Sequence, residues 1–190
     1  NEVDNLLLAE LSYLDFGGIV SPDFAQPIRL PEAMERYDAV REHETMGVLV
    51  PDQIPVLGRR MAQCVRFADL QLCAYACRID EQTQTQFSAV TILLPDATAY
   101  VAFRGTDDTI VGWKEDFNMA FLPTVPAQRM AVQYLQAAAA ALPALPLRVG
   151  GHSKGGNLAV FSAVFCGDAV QNQLLAIYNN DGPGFRTSLL

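Results

Sequence analysis

The stretch Leu147-Arg-Val-Gly-Gly-His-Ser-Lys-Gly-Gly-Asn-Leu-Ala-Val-Phe161 leaves the chain few ways to fold around it. An apolar start, small residues clustered about one serine, and an apolar run at helical spacing predict a strand that turns abruptly into a helix. Gly151-His152-Ser153-Lys154-Gly155 fits the pattern G-x-S-x-G, in which the serine sits on a strained backbone with its hydroxyl lifted clear of the turn. A side chain at Gly151 or Gly155 would collide with the neighbouring strand or with backbone crossing the turn, and Gly156 lets the helix lie close to the sheet. A serine can fall in a Gly-rich turn by chance. The flanking strand, 147–150, and helix, 154–166, are what give the pattern weight.

The rest of the chain can be read around that bend. Apolar residues at helical spacing (Leu7, Leu8, Leu11, Leu14) predict a helix over 4–14, capped by Asp4 or Asn5 and ended by Gly17-Gly18. Prolines interrupt 21–31; a second helix is expected over 31–41, a turn over 51–55 and a third helix over 56–64. Strands are expected over 70–79, 87–94 and 99–103, with a polar loop at 80–86 and a hairpin-like turn at 95–97. A segment around 113–117, a strong helix over 126–142, the bend itself and a strand over 174–178 complete the chain. This predicts one α/β domain over 1–190, with a mainly parallel sheet, helices on both faces and a helical layer at 1–65 in front of a sheet core at 66–190.

Composition narrows the partners. Of 190 residues 51% are hydrophobic and only 18% charged, which describes a chain with a substantial core. A net charge of −8 argues against nucleic acid and against an anionic membrane surface. Cys64, Cys73, Cys77 and Cys166 form no C-x-x-C pair, and with two histidines in the chain neither a zinc site nor any other cofactor is expected. The cysteines read as small apolar residues in a reducing compartment. The start, Asn1-Glu2-Val3-Asp4, lacks the basic region of a signal peptide, and no apolar run approaches bilayer length, so the expected location is cytoplasmic.

A serine at such a bend suits acyl transfer, which needs an oxyanion hole, a base and a group to orient the base. One donor would be the backbone N–H of Lys154. The other is expected from the turn after strand 99–103, where Thr106 would give its N–H and its hydroxyl could assist. Phe103-Arg-Gly-Thr106, followed by Trp113, Asp116 and Phe117, together with Gly-His-Ser-x-Gly-Gly, resembles class 3 (triacylglycerol) lipases. The strings Phe103 to Met119, Gly151 to Ala159 and Asn180-Asp-Gly-Pro-Gly-Phe185, with Leu11 to Phe16 and Arg66-Phe67, more closely resemble an uncharacterised bacterial family of lipase-like α/β-hydrolases. That resemblance implies the α/β-hydrolase fold and a serine-hydrolase site, without implying a substrate.

Two features depart from the lipase pattern. Lys154 stands where an apolar residue is usual, and a cation there opposes the helix dipole by up to about 1 kcal/mol. Solvation, a carboxylate such as Glu115 or Asp116, or an anionic substrate group would offset it. The base is the second. His152, beside the serine in sequence, would point away from it, and His43 lies in a charged, surface-like stretch. In the resembled fold the order is serine, acid, histidine, so the base is expected beyond Leu190. Asp181 is the candidate acid, although Asn180-Asp181-Gly182 equally reads as turn chemistry and class 3 lipases take their acid from a later strand. Trp113, Phe117, Met119, Phe121 and Leu122 would either line an acyl pocket or lid, or pack in the core. The expected function is hydrolysis of a small-molecule or lipid ester through Ser153. Thioesterase, acyltransferase or peptidase chemistry, or a non-catalytic interaction module, remain the alternatives.

Overall fold

Six strands form one sheet whose spatial order follows the chain order, β1 to β6, in a computed structural model that describes residues 1–41 and 51–185. The elements are α1 (Glu2–Leu11), β1 (Ile28–Arg29), α2 (Leu30–Arg41), α3 (Gln53–Gln63), β2 (Gln71–Asp80), β3 (Thr85–Leu94) and β4 (Thr98–Phe103). Then come α4 (Ile110–Phe121), α5 (Pro126–Ala141), β5 (Leu147–His152), α6 (Lys154–Phe165), α7 (Asp168–Gln171) and β6 (Leu174–Asn180). The first helix starts earlier than its apolar spacing suggests. Asn1 is the cap, accepting from Asp4 N–H while the Asp4 carboxylate turns back to it.

The sheet is mixed. β1–β2, β2–β3 and β3–β4 pair antiparallel; only β4–β5 and β5–β6 are parallel. The expected mainly parallel sheet is therefore incorrect, and connection length explains why. Residues 81–84 and 95–97 are all that join β2, β3 and β4, whereas a parallel crossover needs a dozen or more residues. Both turns use the left-handed region, Gln84 at φ 50° and Ala97 at φ 57°. No helix lies between β2 and β4, whereas α2 and α3 separate β1 from β2 and α4 to α7 follow β4.

The layer expected at 1–65 packs on one face of the sheet and also adds the short edge strand β1. In β4, Tyr100 and Ala102 join a core with Leu8, Leu11, Leu30, Met34 and Ile54. Ala99, Val101 and Phe103 join a second core with Leu135 of α5 and Leu158 and Ala159 of α6. Burial on both faces is why such strands read as nearly continuous apolar runs. β3 also begins before its apolar run, so that Gln86, expected in a polar loop, lies fully buried within the sheet. Among the described residues no helix is long and apolar enough to cross a membrane.

The carboxyl ends of β4 and β5 approach very closely. A Cβ on Gly151 would stand 2.5 Å from Phe103 O, and one on Gly155 would press into that same carbonyl. Overpacking of this kind costs about 1–3 kcal/mol. Gly155→Ala is expected to lower unfolding free energy by about that amount in urea titration. Gly184→Ala, with nothing within 4 Å of the added carbon, should stay within about 0.5 kcal/mol of wild type. Equal effects at the two positions would mean that the gap between helix and sheet is slack.

Candidate active site

Ser153 is the single residue between β5 and α6, at φ 55° and ψ −128°. A non-glycine residue held there carries about 1–3 kcal/mol of backbone strain. Its surroundings hold it: Ser153 N–H donates to Asn180 O of β6 at 2.9 Å, and Ser153 O accepts from Gly156 N–H at 2.9 Å. The side chain is half-buried and makes no capping bond to α6.

The loop after β4 lies against this bend. A Cβ on Gly105 would come within 2.7 Å of His152 O and would meet the Tyr13 hydroxyl, so only glycine fits. Around it the loop is tied by charge and by short polar side chains. Buried Arg104 pairs with Asp107 at 3.0 Å, Asp107 accepts from Thr109 N–H, and the Thr109 hydroxyl caps α4 by accepting from Gly112 N–H. The Thr106 hydroxyl donates to Asp116, so its proton is engaged by α4. Burial raises the Asp116 carboxyl above its usual range, while the Thr106 hydrogen bond and the charge of Lys154 pull the other way.

Lys154 is neither solvated nor open to a ligand. Its side chain is 1% exposed and that of Glu115 0%. Nζ reaches Glu115 Oε2 at 3.1 Å, Gln86 O at 2.9 Å and Gln86 Oε1, which accounts for all three ammonium protons. Of the offsets considered from sequence, solvation and a substrate anion are thereby overturned, and the Glu115 carboxylate is the partner. Burial lowers the Lys154 pKa, opposed by Glu115 and Asp116. Glu115 also accepts from Gln86 N–H at 2.9 Å and Ala127 N–H at 3.0 Å, joining α4 to β3, α5 and α6.

Asp181 follows the residue that receives Ser153 N–H. It is exposed at φ 56°, and Gly182 N–H donates to Asn179 Oδ1 at 2.8 Å, which is turn chemistry of the kind the sequence suggested. Asn157 pins that turn to α6 by donating to Pro183 O, and it accepts from Gln128 of α5. His152 turns to the first helix: Nδ1 is 2.9 Å from the Tyr13 hydroxyl and 3.9 Å from Glu10 Oε1. Burial raises the pKa of both Glu10 and Tyr13. His43 lies outside the described residues. Trp113 is 58% and Phe117 69% exposed, with Ile110 and Phe121 on the same outward stripe of α4, so core packing does not account for them. The Phe117 and Phe121 rings meet at a tilt of 43°, with centroids 4.8 Å apart.

Sequence reasoning missed Gln86, Tyr13, Asn157 and Gln128 as members of this network. A cavity of about 260 Å³ lined by Arg66, Phe67, Asp96, Tyr100 and Arg148 lies at the opposite, amino-terminal end of β4 and β5 and is separate from the serine.

Removing one member of a buried ion pair costs about 3–5 kcal/mol, because the other charge is left unpaired. Lys154→Met should lose stability on that scale, and adding Glu115→Gln should restore a large part of it in a denaturation cycle. Simple additivity would refute the pairing. Asp116→Asn is expected to raise Tm at pH 7, because the raised folded-state pKa means that ionised Asp116 costs stability at high pH. As pH falls, wild type takes up that proton in the folded state first, so the advantage should shrink toward pH 4; a growing advantage would reverse the assignment.

No curated protein and no solved structure matches the chain significantly. A family model described as Mbeg1-like matches residues 61–190, which takes in β2 to β6, the loop after β4 and the bend at Ser153, and the chain belongs to the Mbeg1-like family.

Proposed function

We propose that this protein is a serine hydrolase of the lipase or esterase type, built on an α/β-hydrolase fold, that cleaves a carboxylic ester through an acyl-enzyme on Ser153. The observation that carries the reading is the strained backbone of Ser153 between a parallel strand and a helix, with the Gly105 loop packed against the residue before it. Ser153 Oγ attacks the ester carbonyl. Thr106 and Lys154 N–H groups hold the oxyanion, the alcohol leaves with a proton from the general base, and water then hydrolyses the acyl-enzyme. The outward stripe of Trp113 and Phe117 forms one wall of the acyl site. Asp181, beside the bend, is the candidate acid of the triad.

Lys154 contributes through its main chain only, since its ammonium is fully engaged below the bend. The imidazole of His152 faces Tyr13 and Glu10. The base that the reaction requires therefore comes from outside the described residues. That same observation favours the second reading, a non-catalytic interaction module on this fold. Thioesterase, acyltransferase and peptidase chemistries would share the acyl-enzyme and differ only in acyl donor and acceptor.

A fluorophosphonate probe applied to the whole protein should label wild type and leave Ser153→Ala unlabelled. Absence of labelling in the folded wild type would favour the module. Hydrolysis of p-nitrophenyl esters of increasing acyl length would then define the substrate class, with Trp113→Ala expected to weaken turnover of longer acyl chains most.

A further inference from the structure

Gln86 is a wholly buried polar residue of β3 that the reaction described above does not use. Every part of it is engaged. Its N–H donates to Glu115, and its backbone and side-chain oxygens both accept from Lys154 Nζ. An ammonium has protons and no acceptor, so the side-chain atom facing Lys154 must be the amide oxygen. The NH2 group is thereby turned to the other side, where it donates to Gly105 O at 3.4 Å.

That last bond acts on the oxyanion loop. In a planar trans peptide the carbonyl of one residue and the N–H of the next point in opposite directions. Holding Gly105 O toward Gln86 therefore turns Thr106 N–H away from Gln86. Rotation of this one peptide by about half a turn would exchange them, presenting a carbonyl oxygen where a donor is needed. Gly105 itself offers little resistance to that rotation, leaving φ of Thr106 and the hydrogen bond from Gln86 to oppose it, and glycine is required at 105 by the contacts with Tyr13 and His152.

We propose that Gln86 is a positioning residue: with its amide oxygen locked on Lys154, its NH2 holds the Gly105 carbonyl and keeps Thr106 N–H facing the oxyanion formed at Ser153. The inference rests on the serine-hydrolase reading and extends it. It also gives the lysine after the serine a task, which is to fix the orientation of the Gln86 amide.

Gln86→Glu tests the orientation. The new side chain has the same shape and keeps Lys154 as a partner, and its carboxylate has no proton for Gly105 O. With p-nitrophenyl butyrate, kcat should fall about 100-fold, approaching the loss of an oxyanion donor, with KM little changed; the second carboxylate beside buried Glu115 should also lower the melting temperature. The ratio of variant to wild-type rate should rise as pH is lowered and the carboxyl gains a proton that it can donate. A folded Gln86→Glu protein that turns over as fast as wild type would overturn the proposal while leaving the hydrolase reading intact. A wild-type protein that the fluorophosphonate never labels would overturn both. Should the variant fail to fold, a crystal structure of the wild-type phosphonylated protein decides. Thr106 N within hydrogen-bond reach of the phosphoryl oxygen, with Gly105 O still on Gln86, supports the proposal. Gly105 O turned toward the phosphoryl group refutes it.

Discussion

Beneath the bend at Ser153 an ammonium and a carboxylate share a space almost closed to water. Each ion loses several kcal/mol of hydration there, and the pair is tolerable only where every proton and lone pair finds a partner. Lys154 meets three acceptors, and the Glu115 carboxylate accepts from the lysine and from two backbone N–H groups. These bonds fix more than charge. Because Glu115 must reach the first residue of α6, α4 is held against the start of β3 and of α5 and α6. The next residue, Asp116, is then brought to the Thr106 hydroxyl.

The route from Lys154 to Gln86 depends in turn on close backbone approaches. α6 starts almost on top of β4, with room for no side-chain carbon at Gly151 or Gly155. At that separation a lysine side chain leaving the first turn passes under the sheet end and reaches β3. An ammonium at a helix N-terminus opposes the helix dipole by up to about 1 kcal/mol, and Glu115 offsets this locally. One turn further along α6, Asn157 links Gln128 to Pro183. The start of the helix is thus held from α5 and from the turn after β6 as well as from α4.

What could be read in the sequence was local, and what could not was set at long range. The bend was legible because its glycines, serine and helical run lie within fifteen residues of one another. Lys154 was legible as an anomaly, and Glu115 as one of two carboxylates able to answer it, yet burial of the pair appears only in three dimensions. Gln86 was hidden in Asp80-Glu-Gln-Thr-Gln-Thr-Gln86, a polar run in which nothing local marks the one glutamine that faces a lysine 68 residues away. The sheet direction departs from expectation for a different reason. Alternating strands and helices in the later half were extended to the earlier half, although the hairpin-length connection at 95–97 already required an antiparallel pair.

The two faces of α4 bear on how a substrate would reach Ser153. Its inner face carries Glu115 and Asp116, both tied to buried partners; its outer face carries the exposed stripe from Ile110 through Trp113 and Phe117 to Phe121. Lifting the helix as a rigid lid would strip Lys154 of its counter-charge and free the Thr106 hydroxyl together. Breaking a buried pair costs about 3–5 kcal/mol, enough to make the lifted state rare without a compensating ligand. If Ser153 carries an acyl group, as proposed, an aromatic wall mounted on such an anchored helix would be better placed to receive the acyl chain where it stands than to swing aside for it. On the serine-hydrolase reading, access to the serine would come with α4 in place, and the ion pair that anchors α4 would keep that wall beside it.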